Sequence, residues 1–160
     1  MTKLLTLAAM IALPAVAAVA QAPAASTYVM KAGAGDQYEI QSSRLLLTST
    51  KNAKLRSFAS MMVTDHTKST ADVKAAAMRA GLHPAPPKLD AMGTKNVAAL
   101  RAATGTARDR LYVEQQKSAH QRALTLHQTY AQSGTAAPLK TVAASIAPVV
   151  QTHITELSTM

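Results

Sequence analysis

The sequence predicts an all-α protein built as an up-down four-helix bundle, and three observations support this. Alanine, the strongest helix former, is abundant along the chain. In four stretches apolar residues recur at spacings of three and four, which places them on one face of a helix. Three connections join these stretches, as in many bundles. Two are tight turns, and the one between the second and third stretches is long and rich in proline. Aromatic residues make up only 3% of the chain, which disfavours a β-sandwich.

Capping and helix-breaking residues set the expected ends of the helices. Ser26 is a good N-cap for the first helix, Asn52 for the second, and Gly81 suits the C′ position after the second. Segment 81–87 contains three prolines and cannot be helical. Pro148 lies inside the fourth helix and predicts a kink there. The predicted helices cover 26–50, 52–80, a third region in two pieces at 88–103 and 107–132, and 137–157.

The first twenty residues have the pattern of a secretory signal peptide. A positive start with Lys3 precedes an uncharged apolar run, and the small residues Ala18 and Ala20 suit a signal peptidase. The apolar run of about 16 residues is shorter than the roughly 20 that a membrane-spanning helix needs. We therefore expect cleavage after Ala20, a flexible start at 21–25 and a folded domain at 26–160. The expected location is the periplasm or the outer membrane.

Charge and cysteine content limit the classes of partner and site. Without residues 1–20 the formal charge is +8, because only Lys3 is lost from the +9 of the whole sequence. The cations are scattered along the chain, so we expect no nucleic-acid partner and only weak association with anionic envelope surfaces. The lack of cysteine excludes disulfides, zinc ribbons and thiol catalysis. The oligomeric state stays open.

The predicted inward faces mix apolar residues with polar ones. An unpaired buried polar group costs about 1–3 kcal/mol, so an inward imidazole needs a partner or a metal. His83, in the proline-rich connection, is expected to be solvated. The predicted inward stripes are Leu55, Phe58, Met62, Asp65, Ser69, Val73 and Ala76 on the second helix, Val113, Gln116, His120, Ala123, His127 and Tyr130 on the third, and Leu139, Val142, Ile146, Val149 and His153 on the fourth.

His66, His120, His127 and His153 lie on or beside these stripes, and three of them come from different helices and are expected at similar heights. Counting residues from the turns puts Glu39 level with His66. The same count offsets His120 from His153 by about one turn, which would bring Gln116 closest to His153. One carboxylate and three imidazoles are therefore expected to converge near the middle of the bundle.

One segment resembles the signature of a known family. The stretch 50–66, which ends in Met-Val-Thr-Asp-His, is similar to that of exported bacterial proteins grouped as domain-of-unknown-function family 4142 and labelled "predicted outer membrane protein". The resemblance covers most of the chain after the leader. It implies a ferritin-like helical bundle and export, and no established activity. Further residues that resemble the family's pattern are Glu39, Gln116 with His120, and Pro148 followed by His153.

Two function classes stay open. The first is a non-catalytic envelope protein of unknown ligand, whose inward polar residues form a hydrogen-bonded layer with Asp65 pairing a histidine. The alternative is a periplasmic stress-protection protein that binds one transition-metal ion (Cu, Zn or Fe) in a histidine-rich site. An enzyme is not expected, and a di-iron oxidase is disfavoured because Glu-x-x-His motifs are absent. The candidate ligands are His66, His120, His153, Glu39 and Asp65, with Gln116 and Met62 as neighbours.

Overall fold

The computed structural model describes residues 21–160, and all regular structure in that part of the chain is helical. The all-α class is therefore confirmed, with five helices and no strand among these residues. The expected signal peptide falls on residues 1–20, which lie outside the described residues. None of the described helices is long and apolar enough to cross a membrane. The helices are α1 (Ala25–Leu47), α2 (Ala53–Arg79), α3 (Ala91–Ala102), α4 (Gly105–Ser133) and α5 (Ala137–Leu157).

The fifth helix arises because the predicted third region breaks completely. We expected a kink or a one-turn gap at 105–106, but the break lies at 103–104 and makes α3 a separate helix. Gly105 begins α4 with a φ of 53°, a value that favours glycine. Arg108 stabilises the break, because its Nε donates to the carbonyl oxygens of Leu100 at 2.9 Å and Ala103 at 2.8 Å.

Local capping chemistry sets both ends of α2 as predicted. The Asn52 side chain accepts hydrogen bonds from the backbone amides of Lys54 and Leu55. At the other end Gly81 adopts a φ of 76°, and the amide of Leu82 donates to the carbonyl of Ala77, as in a Schellman motif. The prediction for α1 was wrong by two positions: Ala24 occupies the N-cap position, and Ser26 lies in the first turn.

The four long helices enclose a polar layer between two hydrophobic clusters. Helix α1 packs on α2 and α4 on α5, with further contacts of α1 with α3 and α4, and of α2 with α5. Along each long helix, residues of one hydrophobic cluster lie toward one end and residues of the other cluster toward the other end. The buried polar residues come between these two ends in the sequence. The first cluster includes Tyr28, Val73, Leu124, Tyr130 and Val150, and the second includes Leu46, Phe58, Met62, Tyr112 and Leu157.

The inward face of α5 differs from the predicted stripe by one residue. Val149 is 43% exposed, and Val150 is buried instead. Both residues fit between Ile146 and His153 at spacings of three and four, so the spacing alone does not distinguish them. The helix continues through Pro148, and the kink stays a prediction. On α4 the buried residues are Tyr112, Gln116, His120, Leu124, His127 and Tyr130, whereas the predicted Val113 and Ala123 are half-buried.

Candidate metal centre

Three buried histidines from three helices meet in the polar layer. His66 on α2, His120 on α4 and His153 on α5 each offer a ring nitrogen, and these nitrogens all lie within 4.8 Å of one another. Their ring centroids are 5.3–5.7 Å apart. The three residues are 6%, 1% and 2% exposed, so the cluster is shielded from bulk water. The expected convergence of the three imidazoles is thus present. We call these three residues the histidine cluster.

Each ring of the histidine cluster uses its other nitrogen for a partner outside the cluster. Two of these partners are carboxylates, which in their ionised form accept hydrogen bonds and donate none. The third is a backbone carbonyl, which also only accepts. The outer contacts are His66 Nδ1 to Asp36 Oδ1 at 2.8 Å, His120 Nδ1 to the Gln116 carbonyl oxygen at 3.0 Å, and His153 Nε2 to Asp65 Oδ2 at 3.0 Å.

These outer partners determine which nitrogens face the centre. A neutral ring that donates its N–H outward keeps a lone pair on its other nitrogen. The inner nitrogens are therefore Nε2 of His66, Nε2 of His120 and Nδ1 of His153. Nε2 of His66 is buried and has no hydrogen-bond partner among residues 21–160. Nε2 of His120 lies 3.3 Å from Nδ1 of His153.

The spacing of Nε2 of His120 and Nδ1 of His153 suits a shared metal ion. In a tetrahedral site with metal–nitrogen bonds of about 2.0–2.1 Å, two ligand nitrogens are about 3.3 Å apart. Without a metal or an added proton, two lone pairs would face each other at this distance. The outward hydrogen bonds are also those that orient metal-bound histidines in known sites.

Sequence reasoning missed Asp36, which is buried on α1. Besides its contact with His66, its Oδ2 accepts a hydrogen bond from the hydroxyl of Thr70 at 3.1 Å. The available signal was its position three residues before Glu39, because residues three apart share one face of a helix. An acidic residue on the inward face of α1 could have been assigned as a partner of an inward histidine.

Asp65 occupies a different place from the one predicted for a ligand. Its carboxylate contacts the outer nitrogen of His153 and is not among the atoms that converge within the histidine cluster. Its side chain is 35% exposed, so it links the cluster to the protein surface. Asp65 pairs with His153 on α5, whereas its neighbour His66 pairs with Asp36 on α1.

Glu39 is buried next to the cluster and is not part of it. Its Oε1 lies 3.7 Å from the outer nitrogen of His120, and its Oε2 has no hydrogen-bond partner in the described part of the chain. Burial raises the pKa of Glu39 to about 7, although the nearby His66 and Gln116 lower it. The carboxyl therefore exchanges its proton near neutral pH.

The two predicted neighbours each lie about one helical turn before a histidine of the cluster, Gln116 before His120 and Met62 before His66. Gln116 is buried, and its side-chain amide donates to the hydroxyl of Ser42 at 3.2 Å. The prediction that Gln116 lies closest to His153 was wrong, because His120 makes that contact. Residues 134–136 lie outside both helices, which reduces the offset that was counted from the turn. Met62 is fully buried within the second hydrophobic cluster.

Burial and neighbouring charges set different proton affinities within the histidine cluster. Burial lowers the pKa of His120 to about 3, with further lowering by the charges of His66 and His153. Burial also lowers the pKa of His153, partly opposed by Asp65. For His66, burial lowers the pKa, but the hydrogen bond and charge of Asp36 together with the charges of Glu39 and Asp65 outweigh it, and the net shift is upward. His120 and His153 are therefore neutral at pH 7, the form that binds metals.

The other two histidines have separate environments. His127 is buried on α4, about two helical turns after His120. Its Nδ1 lies 3.0 Å from the hydroxyl of Tyr28, and the ring of Tyr28 stacks on Tyr130. Burial lowers the pKa of His127 to about 4. His83 is exposed, as predicted.

Comparison with known proteins identifies one family. A family model described as "Domain of unknown function (DUF4142)" matches residues 12–160. Comparisons with curated proteins and with solved structures found no match.

Proposed function

Since the chain belongs to the DUF4142 family, whose description carries no activity, we propose a function from the site itself. The protein binds one transition-metal ion through His66, His120 and His153. The observation that carries this proposal is the set of three inner nitrogens, each of which offers a lone pair when its ring is neutral, because the opposite nitrogen donates to an acceptor.

The donor chemistry favours Zn²⁺, Cu²⁺ or Fe²⁺. Imidazole suits all three ions, whereas Mg²⁺ and Ca²⁺ prefer oxygen ligands. Three protein ligands leave a coordination position for water or for a small anion, as in sites with an open position. Asp36 and Asp65 act as the orienting partners of His66 and His153, and the Gln116 carbonyl orients His120.

A hydrogen-bonded polar layer without metal is the competing proposal, and one contact favours it. The 3.3 Å separation of His120 and His153 also suits a hydrogen bond if one of the two rings carries a second proton. This layer does not account for Nε2 of His66, which is buried without a partner. Such a group costs about 1–3 kcal/mol, and a bound metal ion would remove that cost.

We also propose a fold family and a cellular location for this protein. We propose that α1, α2, α4 and α5 form a ferritin-like four-helix bundle in which α3 is an addition before α4. The pairing of α1 with α2 and of α4 with α5 supports this arrangement. We also propose export to the periplasm or outer membrane, where the protein sequesters metal ions in stress protection without catalysing a reaction.

Metal titration of the chelator-treated protein tests the proposal. Calorimetry with Zn²⁺ and with Cu²⁺ is expected to give one saturable site per chain. His120→Ala removes a ligand and should abolish that site, whereas His127→Ala, a matched change of a buried histidine outside the cluster, should leave it intact. Circular dichroism melting curves report whether each variant is folded. If no saturable site is found, or if both variants bind equally well, the polar-layer proposal replaces the metal proposal.

A further inference from the structure

A groove separate from the histidine cluster lies between α1, α2 and the proline-rich connection at 80–90. Its volume is about 800 Å³, which is within the range of about 300–1,000 Å³ for small-molecule sites. The side chains that line it are mostly apolar, and Met30 on its rim is 65% exposed. The main apolar lining residues are Val29, Val73, Leu82, Pro86, Pro87 and Leu89.

The rim of this groove is strongly basic. Lys31 from α1, Lys74 from α2 and Lys88 from the connection all line it. None of the three takes part in a salt bridge within residues 21–160. The one acidic residue of the lining is Asp90, and its carboxylate caps α3 by accepting from the amide of Gly93. The groove therefore combines an apolar floor with three positive charges and one negative charge.

The shape of the groove depends on a close approach between α1 and the connection. A Cβ atom added to Gly33 would lie only 2.8 Å from Cβ of Pro87, so a side chain at this position would push the connection away. The prolines restrict the backbone of the connection, which keeps this wall in place without a ligand. The groove is thus preformed, which lowers the entropy cost of binding.

We propose that the groove binds a single-chain anionic amphiphile, with its acyl chain on the apolar floor and its carboxylate or phosphate among Lys31, Lys74 and Lys88. The three lysines complement the charge of an anionic head group, and the apolar lining complements an acyl chain. A neutral lipid would make no ionic contact with the three exposed ammonium groups. A hydrophilic anion would leave the apolar floor uncovered.

The groove and the histidine cluster share one wall and are functionally separable. Thr70 lines the groove and also donates to Asp36, the outer partner of His66. The groove proposal does not rest on the metal proposal, because none of the cluster histidines lines the groove. His120→Ala is therefore expected to keep amphiphile binding even if it abolishes metal binding.

Fluorescence titration with 11-(dansylamino)undecanoic acid tests this proposal on the purified protein. The probe is expected to bind at one saturable site, and dodecanoate should displace it. The methyl ester of the probe keeps the chain and removes the charge, so it should bind about tenfold more weakly, as expected for the loss of contacts with exposed charges. Failure to saturate, or equal binding of acid and ester, would overturn the proposal.

Lysine variants locate the site of binding. The triple change Lys31→Gln, Lys74→Gln and Lys88→Gln should weaken binding of the acid about tenfold and leave binding of the ester unchanged. Its matched control is the triple change Lys51→Gln, Lys95→Gln and Lys117→Gln, which removes the same net charge from exposed positions outside the groove. An equal loss in both triple variants would assign the effect to overall charge and would contradict the groove site.

Two further measurements separate the groove from a membrane surface. Ala85→Trp introduces the only tryptophan of the chain on the groove lining, and its emission should shift to shorter wavelength when dodecanoate binds. The second measurement is cosedimentation of the protein with phosphatidylglycerol vesicles, which tests whether it binds a membrane surface. If the groove lysines are needed for vesicle binding and the monomeric probe does not bind, the ligand is a membrane surface and the proposal fails.

Discussion

Nδ1 of His66 on α2 lies 2.8 Å from Oδ1 of Asp36 on α1, and this contact joins the histidine cluster to the first helix. Asp36 is 4% exposed and also accepts from Thr70, so its two oxygens are both engaged. Because the outer nitrogen of His66 donates to this carboxylate, its inner nitrogen is fixed toward the other two rings. The orientation of one proposed ligand thus depends on a residue from another helix.

Replacement of Asp36 tests this orienting role. Asp36→Asn keeps the size of the side chain but removes its charge, so His66 becomes less basic and less well oriented. We expect the affinity for Zn²⁺ to fall about 10–100-fold, as for other orienting partners of metal-bound histidines. Asp72→Asn is the control, because Asp72 is an exposed carboxylate of α2 that pairs with Lys68. Unchanged Zn²⁺ affinity in Asp36→Asn would show that this carboxylate does not support the site.

Glu39→Gln is expected to stabilise the metal-free protein at alkaline pH. Burial raises the pKa of Glu39 to about 7 in the folded state, whereas the unfolded chain releases this proton near pH 4.5. The folded state therefore binds more protons between these values, and the contribution of Glu39 to stability falls as the pH rises through this window. Chemical denaturation at pH 8 should give Glu39→Gln a free energy of unfolding about 1–3 kcal/mol above that of the unmodified protein. At pH 4 the two proteins should differ little.

The outcome at the two pH values distinguishes two roles of Glu39. If Glu39→Gln destabilises the protein equally at pH 4 and pH 8, the carboxyl contributes through contacts that do not depend on its charge. That result would contradict the view that burial of its ionised form costs stability.

His127 is expected to make stability depend on pH in the opposite direction. Burial lowers the pKa of His127 to about 4, while the unfolded chain takes up this proton near pH 6.5. The unfolded state therefore binds more protons in this window, and stability is lost as the pH falls from about 6.5 towards 4. In His127→Gln this loss should be smaller by about 1–3 kcal/mol between pH 7 and pH 4.5, measured by denaturation with a chelator present. His83→Gln, a change of the exposed histidine, should match the unmodified protein, and identical profiles for all three proteins would refute the prediction.

Two glycines of α1 offer a matched test of the packing against the proline-rich connection. No atom of the described residues lies within 4 Å of a Cβ added to Gly35, so Gly35→Ala should stabilise the helix by roughly 0.5–1 kcal/mol. At Gly33 the added atom would meet Pro87 at 2.8 Å, and Gly33→Ala should destabilise the protein by about 1–2 kcal/mol. Thermal melting of both variants checks the opposite signs. If both changes stabilise the protein, α1 and the connection are not in close contact at Gly33.

Much of the fold was predictable from the sequence because local chemistry determines it. Asn52 and Gly81 act within four residues of the backbone groups that they satisfy, so both ends of α2 follow from the sequence. The separate helix α3 was not predictable in the same way. Arg108 bridges to carbonyls up to eight residues away, and this contact depends on how the chain folds back. The spacing along α5 also could not decide between Val149 and Val150.

The site was predictable in its histidines and not in their partners. Helical periodicity places His120 and His153 on the predicted inward faces. On α2 the predicted face included Asp65, but the buried residue is its neighbour His66. Their partners depend on the heights of neighbouring helices, which counting from a turn estimates only to about one helical turn. For this reason Gln116 was expected next to His153, and Asp36 was missed. The role of Asp65 as a partner of a histidine was anticipated, and the identity of that histidine was not.

X-ray absorption spectroscopy of the Zn²⁺-loaded protein tests the central claim most directly. If the histidine cluster binds the ion, the first shell should contain three imidazole nitrogens at about 2.0–2.1 Å, with the outer-shell scattering of the imidazole rings. His127→Ala should give the same spectrum, and His153→Ala should lose one imidazole. A first shell made of oxygen atoms alone, without imidazole scattering, would contradict binding at this cluster.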